Sequence, residues 1–358
     1  MCPSKKIIAV AGTKGKSTVT HLIYHIFKNA HRNIVHAGNI GISVFDVLAD
    51  IKPDTVVLLE ISSWQLEGLY DINFAPHTAV LTNILPDHLD RYKNFDHYAL
   101  SEKLIFKYQT KQHYLITNFD NPITHNISRE TSAHILWFSH HNRLNKGSYM
   151  SGQTLYFADS KQMTAFCQRK DIQLPGLHNI ENILAAANVC FLWQLSPQEI
   201  RSGIKTFCGI ASRLERIRII DQIAFYNDTC ATTPEAAIAA IQSFSGQPII
   251  LILGGKDKKL DYSHLIQSIK KTENILCIIL LIHPKYDASQ LIENELRENG
   301  LDQLIQKCTA INEAVECAVK KAIPGTYVLL SPAAASFGMF RNEFERGKFF
   351  KKAVNALS

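Results

Sequence analysis

The sequence predicts an α/β protein built from parallel sheets in two successive units. Three observations predict it. Short β-branched runs alternate with amphipathic stretches along all 358 residues. A glycine-rich loop joins the first apolar run to the first helical stretch. A second α/β series begins after FCGIASRLERI, which sets a boundary near residue 210 and gives units 1–210 and 211–358.

KKIIAVAG reads as a buried strand, followed by a glycine turn and the helix STVTHLIYHIFKNA. TVVLLEIS and HTAVLTN are further strands, and DHYALSEKLIFKY has helical periodicity. From HYLITN to about Phe157, short strands broken by Asn, Ser, Pro and Gly predict a smaller, less regular sheet; a helix then runs through IENILAAANVCFLWQL. In the second unit AFYND, PIILILGG, ILCIILLI and TYVLLSPA read as strands. TPEAAIAAIQSF, YSHLIQSIKK, SQLIENELREN, INEAVECAVKKA and RNEFERGKFFKKAVNAL read as helices.

The apolar fraction of 46% suits two proper cores, and the net charge of +6 is mild and dispersed. No stretch interleaves Arg and Lys with aromatics, so nucleic acid is not an expected partner. Eight cysteines occur without a CxxC pair, which disfavours a zinc ribbon or disulfide framework and suits reduced thiols of a cytoplasmic protein. No apolar run has the length of a membrane span, so no membrane partner is expected either.

The strongest motif is Gly12-Thr13-Lys14-Gly15-Lys16-Ser17-Thr18, placed between a strand and a helix. Glycines let successive N–H groups face an anion, and the following helix adds its positive end. Lys16 would reach terminal phosphates and Ser17 would coordinate Mg²⁺, which predicts ATP and Mg²⁺ as ligands. The general motif has a glycine where this chain has Val10, so the loop is a shortened form. Glu60 closes the apolar strand TVVLLE, on the ligand side of such a sheet, where a hard cation finds an oxygen ligand. His88 follows another strand in TNILPDHLDRY, and Lys103 lies in the helical stretch beyond it.

The form GTKGKST resembles the Mur ligase superfamily, and the resemblance extends along essentially the whole chain. GNIG (residues 38–41), LEISSWQLE, PGLHNIEN, SRLE, YNDTCAT, LSPAAASF and FRNEFERG occur in order and are most similar to the D-glutamate-adding members of that family. The resemblance implies a P-loop ATP-binding domain followed by a Rossmann-like, amino-acid-binding domain. It implies that His88 binds a second Mg²⁺ and that Lys103 is carbamylated and helps hold it, making Lys16, His88 and Lys103 the catalytic set and Ser17, Glu60, His88 and Lys103 the metal set. Asn39 would lie near the reacting carboxylate. Asn179, Asn182, Arg213 and Asp228 would serve the nucleotide, with Asp228 suited to the ribose hydroxyls. Thr232, Lys258, Ser336 and Phe344 would frame D-glutamate, with Lys256 and Lys259 as rivals to Lys258. Cys230 stands where the family segment NDSKAT has lysine, so any role of that lysine is absent or moved elsewhere.

The implied activity is ATP-dependent joining of D-glutamate to UDP-N-acetylmuramoyl-L-alanine through an acyl phosphate, in peptidoglycan precursor synthesis, by a monomer. The family normally carries a uridine-diphosphate-binding domain ahead of the loop. Here the loop begins within the first dozen residues, so that domain is expected to be missing. The alternatives are a folylpolyglutamate synthase-like ligase, against which GNIG, SSWQLE and LSPAAAS stand, and a truncated non-catalytic nucleotide-binding partner.

Overall fold

The computed structural model describes residues 2–85, 91–285 and 287–357. The chain divides into two compact units, Met1–Phe207 and Cys208–Ser358.

The first unit contains strands β1 (Ile7–Ala11), β2 (Ile34–Gly38), β3 (Val56–Glu60), β4 (Thr78–Leu81), β5 (Tyr114–Asn118), β6 (His134–Ser139), β7 (Lys146–Ser151), β8 (Thr154–Asp159) and β9 (Met163–Gln168). Its helices are α1 (Lys16–Asn29), α2 (Val44–Val47), α3 (Ser63–Leu69), α4 (Phe95–Lys103), α5 (Pro122–Ile127), α6 (Leu177–Leu192) and α7 (Pro197–Thr206). Among the described residues these nine strands form one sheet in the order β2-β3-β1-β4-β5-β6-β7-β8-β9. This corrects the expectation of a separate smaller sheet. β6 pairs in parallel with both β5 and β7, and the antiparallel ribbon β7-β8-β9 extends the same sheet.

Local chemistry explains several boundaries. α1 buries Val19, Leu22, Ile23, Ile26 and Phe27, a helical stripe against the sheet. α3 and α7 begin with reciprocal caps, Ser62 with Gln65 and Ser196 with Glu199, and Pro197 sits in the first turn of α7, where its missing N–H costs little. α4 is capped by Asn94, whose side chain accepts from the His97 N–H.

The second unit contains β10 (Glu215–Ile220), β11 (Ile223–Asn227), β12 (Ile249–Leu253), β13 (Ile275–Leu281), β14 (Ile305–Cys308) and β15 (Tyr327–Leu330), with α8 (Pro234–Ser243), α9 (Ser263–Lys271), α10 (Asp287–Glu298), α11 (Ile311–Lys321) and α12 (Glu343–Asn355). The sheet order is β10-β11-β15-β12-β13-β14, parallel except for the edge strand β10. β12 reads IILIL because both of its faces are covered. Ile249, Leu251 and Leu253 pack with residues of α8, α9 and α10, whereas Ile250 and Ile252 pack with residues of α11 and α12. Among the described residues no helix is long and apolar enough to cross a membrane.

Candidate active site

In the first unit β1 lies between β3 and β4, so the chain leaves its C-terminal end at a point where strand order diverges. Ligands of open parallel sheets bind at such points. The loop from Gly12 to Gly15 fills it. Gly12 has φ +118° and Gly15 φ +87°, backbone that L side chains seldom adopt. A Cβ on Gly12 would stand 2.3 Å from Thr82 Oγ1, and one on Gly15 2.3 Å from Asn182 Oδ1. Both glycines are therefore fixed by conformation and by space.

The end of β4 holds the loop from one side. Thr13 and Lys14 donate their N–H groups to the Asn83 carbonyl and side chain, each at 2.9 Å, and Thr82 Oγ1 donates to the Lys14 carbonyl at 2.7 Å. α1 then starts at Gly15 with no side-chain cap, which leaves its N-terminal N–H groups to an anion. The Lys16 ammonium folds back onto the Gly12 and Thr13 carbonyls at 2.6 and 3.0 Å. Ser17 and Thr18, both half-buried, occupy the first turn.

The neighbouring strands bring up the other expected groups. Glu60 ends β3 in register with Val10, is 1% exposed, and accepts from Asn39 Nδ2 at 3.2 Å. Asn39 follows β2 and is also tied by its N–H to the Glu60 carbonyl at 2.9 Å. Asn182 Nδ2 donates to Asn179 Oδ1 at 3.0 Å, and Asn179 Nδ2 to the Pro175 carbonyl at 2.6 Å, so this pair on α6 is braced against the loop. His88 lies outside the described residues.

Lys103 is the last residue of α4. Its ammonium is ion-paired with Glu130 beside a groove lined by Phe95, Ala99, Leu100, Ile123 and Ile127. Its neighbour Glu102 faces the loop instead. Glu102 is 1% exposed and accepts from the Gly12 N–H and the Tyr98 hydroxyl, each at 2.9 Å; Tyr98 in turn meets Thr13 Oγ1 at 2.9 Å. Successive helical residues point about 100° apart, which here turns Glu102 to Gly12 and Lys103 to Glu130. Sequence reasoning passed over Glu102, although its place in the same helix was visible.

In the second unit the loops after β11, β15 and β12 gather at the C-terminal edge of the sheet. The Asp228 N–H donates to the Leu330 carbonyl at 2.9 Å, Ala333 N–H to the Ala231 carbonyl at 2.9 Å, and Lys256 N–H to the Ala335 carbonyl at 2.8 Å. Asp228 is 7% exposed and accepts from Ser331 Oγ at 2.8 Å and the Leu214 N–H at 3.1 Å. Burial nevertheless pushes its carboxyl up to about 7, with those bonds and the Arg213 charge opposing the rise. Arg213 itself is exposed between two left-handed residues, Ser212 and Leu214. Lys258 Nζ donates to Thr232 Oγ1 at 3.0 Å, which brings two expected substrate residues together. Ser336 is buried, and Phe344 is 53% exposed in the first turn of α12.

Arg346 is the second residue the sequence hid. It is fully buried and donates to Thr229 Oγ1 and the Thr229 carbonyl at 3.0 and 2.9 Å, and from both terminal nitrogens to the Ala334 carbonyl at 3.2 Å. It thereby fastens the NDTCAT and SPAAAS loops to α12. The signal was an arginine on the apolar face of an otherwise charged helix.

An uncapped helix behind a glycine loop, with buried carboxylates beside it, defines a phosphate-loop α/β protein carrying a second Rossmann-like unit. Comparison with known families narrows the class: residues 10–190 match the Mur ligase middle domain and residues 212–334 the Mur ligase glutamate ligase domain. The whole chain is similar to the UDP-N-acetylmuramoylalanine–D-glutamate ligase of Acetivibrio thermocellus, 39% identical over 100% of this chain and 75% of that protein. It is also similar to the enzyme of that name from Clostridium tetani, at 36% over 99% and 75%. Among solved structures, a UDP-N-acetylmuramoyl-L-alanyl-D-glutamate–2,6-diaminopimelate ligase superposes with a TM-score of 0.69 at 19% identity, covering 99% of this chain and 79% of that one. The UDP-N-acetylmuramate-alanine ligase of Thermotoga maritima gives 0.66 at 16%, covering 99% and 76%. The chain belongs to the Mur ligase family, in its UDP-N-acetylmuramoylalanine–D-glutamate ligase group.

Proposed function

We propose that the chain is a cytoplasmic ATP-dependent ligase that joins D-glutamate to UDP-N-acetylmuramoyl-L-alanine in peptidoglycan precursor synthesis. The observation that carries this reading is the phosphate loop set at the strand divergence of the first sheet, in a chain related over its whole length to ligases of that name.

The residues fit a nucleotide triphosphate with Mg²⁺. A side chain at Gly12 or Gly15 would fill the cradle and collide with its walls, and the nearby donors are hard oxygens, Ser17 and Glu60, as such a cation prefers. Bound there, Mg²⁺ would neutralise phosphate charge. The α1 N-terminus and Lys16 would orient the terminal phosphates, and His88 and Asn39 would lie toward the acceptor carboxylate. Asn179, Asn182, Arg213 and Asp228 would serve the nucleotide, and Thr232, Lys258, Ser336 and Phe344 the amino acid.

The chemistry requires these tasks. A carboxylate resists attack by an amine, so its oxygen first takes the γ-phosphoryl group of ATP, giving an acyl phosphate and ADP. The D-glutamate amine then adds to the acyl carbon. The tetrahedral intermediate expels phosphate, the nitrogen loses a proton, and an amide remains. The test is to incubate the purified chain with Mg·ATP, D-glutamate and the muramoyl acceptor and weigh the product. An acceptor enlarged by one glutamyl residue is expected. ATP hydrolysis without amide would defeat the reading, and glutamylation of a folate instead would favour the folylpolyglutamate alternative.

A further inference from the structure

A further group of metal-ligating side chains gathers at the C-terminal ends of β5 and β6, outside the residues assigned to nucleotide and substrates. Asp120 follows β5, His140 follows β6, and Glu181 lies in the second turn of α6. β5 and β6 pair in parallel up to Asn118 and Phe138, so the two loops leave the sheet side by side. His140 Nδ1 lies 2.9 Å from Glu181 Oε1 and 3.5 Å from Asp120 Oδ2, and one ligand atom from each residue falls within 4.8 Å of the others. Among the described residues no other three His, Cys, Asp or Glu side chains converge in this way.

His140 Nδ1 is shielded from water and makes no hydrogen bond, although a carboxylate oxygen is 2.9 Å away. A buried polar atom left unpaired is costly, which argues for a partner of another kind. Zn²⁺ holds imidazole nitrogen and carboxylate oxygen at about 2.0–2.2 Å, so ligands about 90–110° apart around it stand about 2.8–3.6 Å from one another. Both separations measured from Nδ1 fall in that interval. One nitrogen and two oxygens suit a borderline divalent ion better than Mg²⁺ or Ca²⁺, which favour oxygen alone. The carboxylates are also prepared for a cation. Asp120 Oδ1 accepts from Ser139 Oγ at 2.6 Å and Asn142 Nδ2 at 2.8 Å, and Oδ2 from the His140 and His141 N–H groups at 2.9 and 3.4 Å, which fixes its direction as the outer partners of metal ligands do. Burial raises the Glu181 carboxyl, with His140 opposing and the Asp120 charge adding to the rise, and a divalent ion would offset both.

We propose that Asp120, His140 and Glu181 form a binding site for one Zn²⁺ ion that ties the ends of β5 and β6 to α6. Glu181 directly precedes Asn182, whose side chain stands against Gly15 of the phosphate loop, so the ion braces the helix that walls the loop. Its ligands are complete without nucleotide. The inference does not rest on the ligase reading, and its test uses no substrate.

The test strips the full chain with a chelator and titrates Zn²⁺ against a chromophoric competitor, in excess Mg²⁺ and without ATP. X-ray absorption is then recorded on the zinc-loaded protein. The wild type should take up one Zn²⁺ per chain, in a shell of nitrogen and oxygen only. His140→Ala should weaken uptake about 100-fold or more, since loss of a mere outer partner already costs about 10–100-fold, and Glu181→Gln should weaken it about tenfold or more. His264→Ala, at an exposed position on α9 of the other unit, should leave uptake unchanged. A wild-type chain that takes up no Zn²⁺ would overturn the proposal and leave His140 as an imidazolium between two carboxylates. Sulfur in the shell would overturn it by placing the ion on cysteines, and so would wild-type affinity in His140→Ala. Should His140→Ala not fold, Glu181→Gln and the wild-type stoichiometry and shell still decide.

Discussion

Replacing Arg346 by methionine keeps most of the side-chain volume and removes every donor. Four contacts vanish: to Thr229 Oγ1 at 3.0 Å, to the Thr229 carbonyl at 2.9 Å, and two to the Ala334 carbonyl at 3.2 Å. Thr229 and Ala334 are both 0% exposed, so water cannot readily replace the arginine. Thr229 Oγ1 keeps its bond to the Glu343 carbonyl at 2.8 Å, which leaves two stranded carbonyls as the main cost. At about 1–3 kcal/mol for each buried unsatisfied acceptor, the expected loss is about 2–6 kcal/mol. That is a large share of the roughly 5–15 kcal/mol that holds a domain folded. Tryptophans 64, 137 and 193 all lie in the first unit, so circular dichroism in urea must report the second. Arg346→Lys should fall between wild type and Arg346→Met, because one ammonium can still reach a carbonyl. A loss below about 1 kcal/mol for Arg346→Met would refute the clamp, being no more than one ordinary hydrogen bond.

Three further outcomes follow from the same geometry. Gly15→Ala should lower the melting temperature of the first unit by at least about 2–8 °C, from about 1–2 kcal/mol of left-handed strain plus the Asn182 clash. Gly41→Ala, equally left-handed but with nothing within 4 Å of its added Cβ, should lose only the strain, and calorimetry on both compares them. Lys16→Ala should reduce ATP turnover about 100-fold or more, as loss of one charge-stabilising donor does; near-normal turnover would mean that the loop has another role. Asp228 has a raised carboxyl, so the folded state holds more protons than the unfolded one between the ordinary range near 4 and about 7. Its contribution therefore favours folding at low pH and is lost as pH rises through that window, at up to about 1.4 kcal/mol per unit. Asp228→Asn should flatten that slope in denaturant titrations at several pH values, and an unchanged slope would contradict it.

Elements with a strong local signature were legible: the both-face apolar run of β12, the amphipathic stripe of α1, and the glycine loop whose conformation only glycine adopts. β2, β9, β10 and β14 were missed for a physical reason. Each is short and partly exposed, so its sequence carries little alternation, and its strand character comes from its neighbour. Pairing of β5 through β9 into the main sheet was equally hidden, since hydrogen-bonded partners leave no mark on local composition. In the site, the motif spacing led to α4 but not to its rotation. One residue of helical phase separates Glu102, which meets Gly12, from Lys103, which meets Glu130. Arg346 was obscured by its charged neighbours, because only the fold shows that its face of α12 packs against the loops; a Cβ on the adjacent Gly347 would lie 2.7 Å from Thr229 Cγ2.

The most direct test of the central claim follows one oxygen atom. UDP-N-acetylmuramoyl-L-alanine carrying heavy oxygen at both positions of its carboxylate is given to the chain with Mg·ATP and D-glutamate, and the released phosphate is analysed by mass. An acyl phosphate passes a carboxylate oxygen to phosphorus, so one labelled atom should appear in phosphate for each amide formed. Amide accompanied by unlabelled phosphate, or phosphate released with no amide, would contradict the account.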